Sequence, residues 1–548
     1  MLAQPRNVAS AFVRNAEKNS ARTFVKITTA QGATDYSFEN IREMAFVYNA
    51  HFRKVGLENG SVIAIILRHS VELYAAFLGS MMAGLVPTIM PFPTPKQDRE
   101  KYWKSHVDLF ALSGIEAVFT YEDNVEDIRA FIGDQVSYVA TAKDLAPGER
   151  CEDIEPGELA VLQHSSGTTA LKKGVTLTHE AIFNQVESYS RCIGLNADSR
   201  MVSWLPLYHD MGFIACFLMP MVVGCSLSHL DAFTWSAKPT LLLDEIVAFG
   251  GEYIWLPNFA YNHIVNSTRS SAEWDLGTVK AIINCSEPCK PDTFVAFRAK
   301  PQFRNLSESA LQVCYAMAEN VFAVSQTPLG SQPRVVTVTD ASFREGARIE
   351  TVGPGEKGIQ VLSCGPVIEG TEVAFVLPSG ELSREEGLLG EIAITGRSLY
   401  SGYYHRPEIT AQKLVDGWHR TGDVGFMVDG ELYVTGRIDD LLIIRGKNIY
   451  AHEVEEAVNA LGLIIPGRAV AFTTFSKDKG EASLIVLAES EDIGAETEIK
   501  KAVRGAVEAG FGVSLTDFRL VPPRTLRKTT SGKLSRKENS ELYLEMQA

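Results

Sequence analysis

From the N-terminus to about residue 435, short apolar runs alternate with segments of helical periodicity. Residues 61–67 (SVIAIIL) form a continuous apolar run, and 71–83 follow with helical spacing and many small residues. Residues 117–120, 201–204, 253–255, 281–284 and 311–313 repeat the apolar part of the pattern. Strands that lack polar alternation are strands covered on both faces, and parallel neighbours need a crossover, usually a helix. The expected class is therefore α/β, with parallel or mixed sheets and helices on both sides.

The pattern changes near residue 430. Asp429-Gly430 separates the apolar run 426–428 from 431–435, the signature of a two-residue hairpin. A polar strip, Gly436-Arg437-Ile438-Asp439-Asp440, follows, and then the run 441–444. Beyond it a smaller pattern appears, with helices expected at 453–461 and 496–509 and strands at 469–475 and 482–488. That is enough for a separate α+β domain. The reading is a large domain over 1–436 and a small one over 437–548.

The net charge of −15 excludes a nucleic-acid or anionic-membrane binder that relies on a basic face. The eight cysteines make no CxxC pair, and no His cluster follows Cys285 and Cys289, so zinc is not expected. The thiols suit a reducing cytoplasm. Residues 1–18 lack the apolar core of a signal peptide. Residues 211–228 carry no charge and are long enough to raise the question of a membrane span. Gly212, Pro220 and Gly224, with Asp210 and Asp231 at the flanks, favour instead a core helix broken at Pro220 and then a buried strand.

Six stretches carry chemistry. In Gln163-His164-Ser165-Ser166-Gly167-Thr168-Thr169-Ala170-Leu171-Lys172-Lys173-Gly174, hydroxyls crowd a glycine and lysines precede another. Hydroxyls, free backbone N–H groups and a cation are what a polyphosphate needs, although the run is not a Walker A loop and equally describes a Ser/Thr-rich surface turn. Trp204-Leu205-Pro206-Leu207-Tyr208-His209-Asp210-Met211 holds a His-Asp pair that fits a capped helix start as well as a ligand site. Tyr315-Ala316-Met317-Ala318-Glu319 places an aromatic residue at a strand end and a carboxylate, a possible Mg²⁺ ligand, four residues on. Trp418-His419-Arg420-Thr421-Gly422-Asp423 offers a carboxylate able to accept from both hydroxyls of a ribose. The strip at 436–440 and the lysine tail Lys528-Thr529-Thr530-Ser531-Gly532-Lys533 complete the set.

In this order and at these distances the stretches resemble the adenylate-forming (ANL) superfamily over about residues 10–540. LPLYHDMG at 205–212, LPNFAY at 256–261 and NCSEP at 284–288 resemble its fatty acyl-AMP ligase branch more closely. Residues 335–363 resemble that branch's insertion. The GxGxxG match at 353–358 lies inside it, with no strand feeding it and no helix opening from it, and reads as a loop rather than a dinucleotide site.

The resemblance implies a ligase that uses ATP and Mg²⁺ to convert a fatty or other apolar carboxylic acid to acyl-AMP, releasing pyrophosphate. The acyl group then passes to the phosphopantetheine of an acyl carrier protein. It also implies roles. Ser165, Ser166, Gly167, Thr168, Thr169 and Lys173 would wrap the phosphates, and Tyr315, Ala316 and Ser286 would frame the adenine. Asp423 and Arg437 would hold the ribose, and Glu319 the metal. His209 would sit between the acid and the α-phosphate, with Asn258, Phe259, Tyr261 and Met211 along the acid's tunnel and Trp255 beside it. Asp439 would be the hinge, and Lys533 would reach in from a mobile small domain. An acyl-CoA ligase and a non-catalytic adenylate-fold binder are the alternatives. Ala170 and Lys172 replace the family's usual Gly and Pro, and Ala316 its Gly, while the charged positions are intact. Arg524, Arg527, Lys528 and Arg536 are the expected basic patch for an acidic carrier.

Overall fold

The computed structural model describes residues 7–93, 99–155, 157–164, 173–339, 341–353, 355–444, 447–476, 481–528 and 534–547. Its central sheet runs Ala323–Gln326, Leu311–Ala316, Ala281–Asn284, Tyr253–Leu256, Arg200–Ser203, Ser226–Leu230, Thr23–Thr29, Gly32–Ser37 in spatial order. Neighbours are parallel throughout, except at the two edges. A second sheet, Val86–Ile89, Val62–Ile66, Ile115–Thr120, Tyr138–Ala140, is all parallel. Every residue of Val62–Ile66 is buried, as a strand covered on both faces requires. The helix Val71–Met82 that follows is buried from Leu73 onward. It lies so close to the helix Phe38–Lys54 that a Cβ on Gly79 would stand 2.4 Å from Cβ of Tyr48. Its small residues are what allow that approach.

A third, antiparallel sheet contains Thr371–Val376, Gly390–Gly396, Trp418–Val428 and Glu431–Arg437. The last two form the expected hairpin, with positive φ at Asp429 (51°) and Gly430 (74°), the backbone of a type I′ turn. Residues 335–363 contribute strands Val335–Val338, Thr351–Val352 and Ile359–Leu362. Val338, Ile349 and Val361 of this segment share an apolar cluster with Val424, Phe426 and Tyr433 of the hairpin. A short strand, Thr351–Val352, does precede the glycines at 353–358, contrary to expectation, but it leads by a turn into Ile359–Leu362 and no helix opens there.

After residue 440 come the hairpin Leu441–Ile444 and Lys447–Tyr450, the helices Ala451–Ala460 and Glu496–Phe511, and the sheet Ala469–Ser476, Glu481–Glu489, Leu515–Val521. These have their own apolar cluster, which includes Val454, Val486, Val503 and Phe518.

Among the described residues no helix is long and apolar enough to cross a membrane. The uncharged segment after Asp210 is a buried wide helix, Met211–Leu218, a short α-helix, Met219–Val223, a left-handed Gly224 (φ 83°) and the strand Ser226–Leu230. Pro220 does not break the helix as expected. It sits in the first turn of the α-helical part, where a missing N–H costs little, and the strain is taken up in the wide turns upstream.

Candidate active site

In open α/β sheets ligands bind beyond the carboxyl ends of the strands. Four adjacent strands here end in the singled-out stretches: Arg200–Ser203 before Trp204, Tyr253–Leu256 before Asn258, Ala281–Asn284 before Ser286, and Leu311–Ala316 at Tyr315. The sheet order thus gathers residues more than a hundred positions apart along one edge.

Tyr315 donates its hydroxyl hydrogen to Oδ2 of Asp423 at 2.6 Å. Arg437 Nε lies 3.2 Å from Oδ1 of the same carboxylate. The antiparallel pairing of Asp423 with Arg437 brings these two together. Burial pushes the Asp423 carboxyl above its ordinary value, and the guanidinium pulls it back. Arg437 Nε is buried yet makes no aligned hydrogen bond among the described residues. Ala316 has no positive φ, so Ala in place of Gly puts no strain on the backbone there. Ser286 does adopt φ 69°, unusual for a non-glycine, just beyond its strand. Its hydroxyl is 4.0 Å from Sδ of the buried Met211.

The turn after Tyr315 is strained. Val321, β-branched and fully buried, has φ 60° and ψ −55°, and the Phe322 N–H reaches back to Asn320 O at 2.6 Å. This is the rare, strained γ-turn, and such backbone clusters at functional sites. It presents Glu319, whose Oε1 accepts from the Tyr403 hydroxyl at 2.7 Å. Lys173 Nζ lies 5.0 Å from the centre of the Tyr403 ring, a cation–π contact. Burial, and then Lys413, Arg406 and Arg437, hold the Lys173 ammonium below the usual lysine value, while Glu319 acts the other way. A Cβ built on Gly422 would meet Lys413 Nζ at 3.6 Å and Arg437 Nη2 at 3.7 Å. In a protein of net charge −15, like-charged groups crowding one spot are not a fold-stabilising arrangement; they suit a polyanion.

His209 and Asp210 lie at the start of the wide helix, where Asp210 accepts from the Met211 N–H at 2.8 Å. Asn258 accepts from Asn284 Nδ2 at 2.8 Å. Phe259 is 49% exposed, and its ring meets the stacked pair Trp204–Trp235, whose centroids are 3.6 Å apart. Two residues expected at the tunnel are wholly enclosed. Tyr261 is fully buried, donates to Ile282 O at 3.0 Å and packs on Phe294 and Phe297. Trp255 is fully buried with its N–H donated to the Tyr189 hydroxyl at 3.1 Å. Asp439 is exposed in the short turn Ile438–Asp440. Ser165, Ser166, Gly167, Thr168, Thr169 and Lys533 lie outside the described residues.

The basic patch expected for a carrier is also corrected. Arg536 donates to Asp440 (2.6 Å) and to Glu455 (2.8 and 3.1 Å), and Arg527 to Glu545 (2.6 Å). Half-buried Asp440 and Glu455 take Arg536 and the exposed Glu545 pairs with Arg527, while Arg524 and Lys528 are exposed. Sequence reasoning missed Tyr400, Tyr403, Lys413 and the Tyr315–Asp423 bond. The tyrosine-rich run Tyr400-Ser401-Gly402-Tyr403-Tyr404 before Pro407 was the available signal.

Residues 12–404 match the family model described as AMP-binding enzyme. A putative acyl-CoA synthetase of Caulobacter vibrioides is 28% identical over 517 residues, covering 92% of this chain and 90% of that protein. A medium-chain-fatty-acid–[acyl-carrier-protein] ligase of Moorena producens is 28% identical over 570 residues, covering 98% and 92%. Among solved structures, one from a study of fatty acyl-adenylate ligases of E. coli and L. pneumophila superposes with a TM-score of 0.89 at 25% identity, covering 100% of this chain and 99% of that one.

Proposed function

The chain belongs to the AMP-binding enzyme family, and from that premise we propose that it activates an apolar carboxylic acid as acyl-AMP and passes the acyl group to a carrier-protein thiol. The observation that carries the reading is the convergence of Tyr315, Asp423 and Arg437 beside Glu319, Lys173 and Lys413 at the strand ends.

ATP fits these groups. Asp423 keeps lone pairs for two ribose hydroxyls, since each carboxylate oxygen can accept more than one hydrogen bond. Lys173 and Lys413 gain an acceptor in the phosphates. Mg²⁺ fits as well. No group of three or more His, Cys, Asp or Glu able to hold a metal occurs among the described residues, but an ion carried by a triphosphate needs only one or two protein carboxylates. Glu319 is that ligand, and the ion's contribution is to neutralise phosphate charge.

The acid is already ionised at neutral pH, so its carboxylate oxygen attacks the α-phosphorus without a general base and pyrophosphate leaves. The barrier is the approach of an anion to a polyanion, which positioned cations lower. Lys173, Lys413 and Arg437 receive the developing charge, and Lys533 is assigned the bridge between carboxylate and phosphate. In the second step a thiolate attacks the acyl carbon and AMP departs. We assign residues 1–436 to the body that binds both substrates and 437–548 to the part that turns about Asp439 between the steps.

Two points support a carrier over free CoA as acceptor. One is the carrier-protein ligase of Moorena producens, similar along 98% of this chain. The other is the insertion, whose Phe343 ring stands 6.3 Å from that of Tyr450, beyond the hinge. Tyr450 also hydrogen-bonds Thr435 before the hinge, at 3.1 Å. Turning would break both contacts, and a carrier interface offers more differential binding to compensate than a free thiol does. The acyl-CoA ligase reading is favoured by the Caulobacter relative. Acid-dependent ATP–pyrophosphate exchange tests the first step, and its absence over acids of varied length would overturn the proposal. Thioester formed faster with CoA than with a phosphopantetheinylated carrier would overturn the choice of acceptor.

A further inference from the structure

Tyr403 belongs to a segment tied into both halves of the phosphate-facing site. On one side the Ser401 and Tyr404 N–H groups donate to Thr176 O (3.1 Å) and Gly174 O (2.8 Å). Gly402 O in turn accepts from the Thr176 N–H (3.1 Å) and hydroxyl (2.7 Å). The strand Gly174–Thr178 is one arm of the hairpin that brackets residues 165–172. On the other side the Tyr400 N–H donates to Glu319 O at 2.8 Å, at the strained turn. The Tyr403 N–H itself is held by Thr410 Oγ1 at 2.9 Å.

The Tyr403 side chain repeats this bridging. It is 6% exposed, and its ring meets Tyr400 edge-on at 5.1 Å. Tyr400 is fixed in turn by the buried His419, whose Nδ1 lies 3.1 Å from the Tyr400 hydroxyl. The Tyr403 hydroxyl has no freedom to wander, and it donates to Glu319 Oε1. Glu319 Oε2 makes no hydrogen bond to a described residue.

We propose that Tyr403 is a positioning residue for adenylation. Its hydroxyl fixes one oxygen of Glu319 so that the other faces the divalent cation. Its ring seats the Lys173 ammonium, so one side chain sets the spacing between metal ligand and phosphate cation. The inference rests on the reading that Glu319 receives the cation brought by ATP.

The test uses full-length protein, with Mn²⁺ followed by electron paramagnetic resonance in the presence of ATP, and ATP followed by calorimetry with and without metal. Wild-type protein that shows no Mn²⁺-enhanced ATP binding would sink the functional reading itself. Given that enhancement, Tyr403→Phe should weaken Mn²⁺ binding about tenfold, the scale of losing a hydrogen bond to a charged group, and leave metal-free ATP affinity within about twofold. Tyr403→Leu should further weaken metal-free ATP binding, because the ring under Lys173 is gone. In a Glu319→Gln background, Tyr403→Phe should cost almost nothing more. Unchanged Mn²⁺ binding in folded Tyr403→Phe, or full additivity with Glu319→Gln, would overturn the proposal. A merely structural tyrosine would lower the melting temperature without separating metal from nucleotide.

Discussion

The large body and the small C-terminal part treat buried charge in opposite ways. Around Glu319 and Asp423, cations crowd one another: Lys173 is held below its usual pKa by burial and by Lys413, Arg406 and Arg437, and Arg437 Nε has no aligned acceptor. Around Glu455 the charges are matched. Arg536 forks onto Glu455 and Asp440, and the Ala471 N–H adds a further bond to Glu455 at 3.0 Å. Asp517 is served in the same way by Lys500 (2.7 Å), Arg519 (2.9 Å) and the Tyr543 hydroxyl (3.0 Å). In the first cluster Arg437 has Asp423 at 3.2 Å, but Lys173 and Lys413 have no hydrogen-bonded carboxylate among the described residues; in the second each named cation has one. Incomplete pairing marks the place where a ligand must complete the electrostatics, and complete pairing marks scaffold.

The largest expected effect is on acid stability. Burial pushes His179 and His419 of the body down to about 4, and His452 of the small part down to about 3. Their unfolded values lie near 6.5, so below that pH the unfolded chain binds protons the folded chain refuses, and stability falls with pH until the folded values are reached. Each imidazole contributes a slope of about 1.4 kcal/mol per pH unit between roughly 6.5 and 4. Denaturant unfolding at pH 7, 6 and 5 checks it. A flat profile would mean that these rings are not held neutral.

Next in size is loss of the adenosine contact. Asp423→Ala should lower pyrophosphate exchange at least a hundredfold, the scale of one preorganised electrostatic contact. 2′,3′-Dideoxy-ATP should penalise the wild type strongly and the variant hardly at all. Full additivity of the two losses would argue against direct contact.

The matched cluster should behave in reverse. Glu455→Ala leaves the half-buried Arg536 with only Asp440 and should cost about 2 kcal/mol of stability by chemical denaturation. ATP affinity of the folded fraction should change less than about threefold, a shift under 1 kcal/mol. If nucleotide binding falls as far as stability does, the two regions are not separable.

Relief of crowding should be smaller again. Lys413→Met should raise stability by about 0.5–1 kcal/mol, because a cation leaves a cluster of cations, and raise the KM for ATP several-fold. A lower melting temperature would show that Lys413 has a paired, structural role. Last, Tyr261→Phe removes only its bond to Ile282 O. It should cost about 1 kcal/mol and leave the acid-length profile unchanged. A changed profile would return Tyr261 to the tunnel.

How legible was all this? The buried strands were, because an unbroken apolar run such as 62–66 has only a doubly covered strand to become. The hairpin was legible in two residues, Asp429 and Gly430, because few pairs tolerate its backbone. The family could be named from the order and spacing of the motifs that hold Tyr315, Glu319, Asp423 and Arg437. These are properties of short windows, where periodicity and backbone preference act directly.

Pairing belongs to no window. Arg536 and Lys413 are both cations beside a helix end in sequence, yet one is closed onto Glu455, 81 residues away, and the other stands among cations. Tyr261 and Tyr403 are both tyrosines in promising motifs. Packing on Phe294 and Phe297 makes the first a core residue, and the approach of Glu319 and Lys173 ties the second to the site. Composition, periodicity and motif order were determined by the sequence alone. Which charges are answered and which are left for a ligand was decided only by the tertiary structure, because electrostatic interaction depends on distance and burial, and folding sets both.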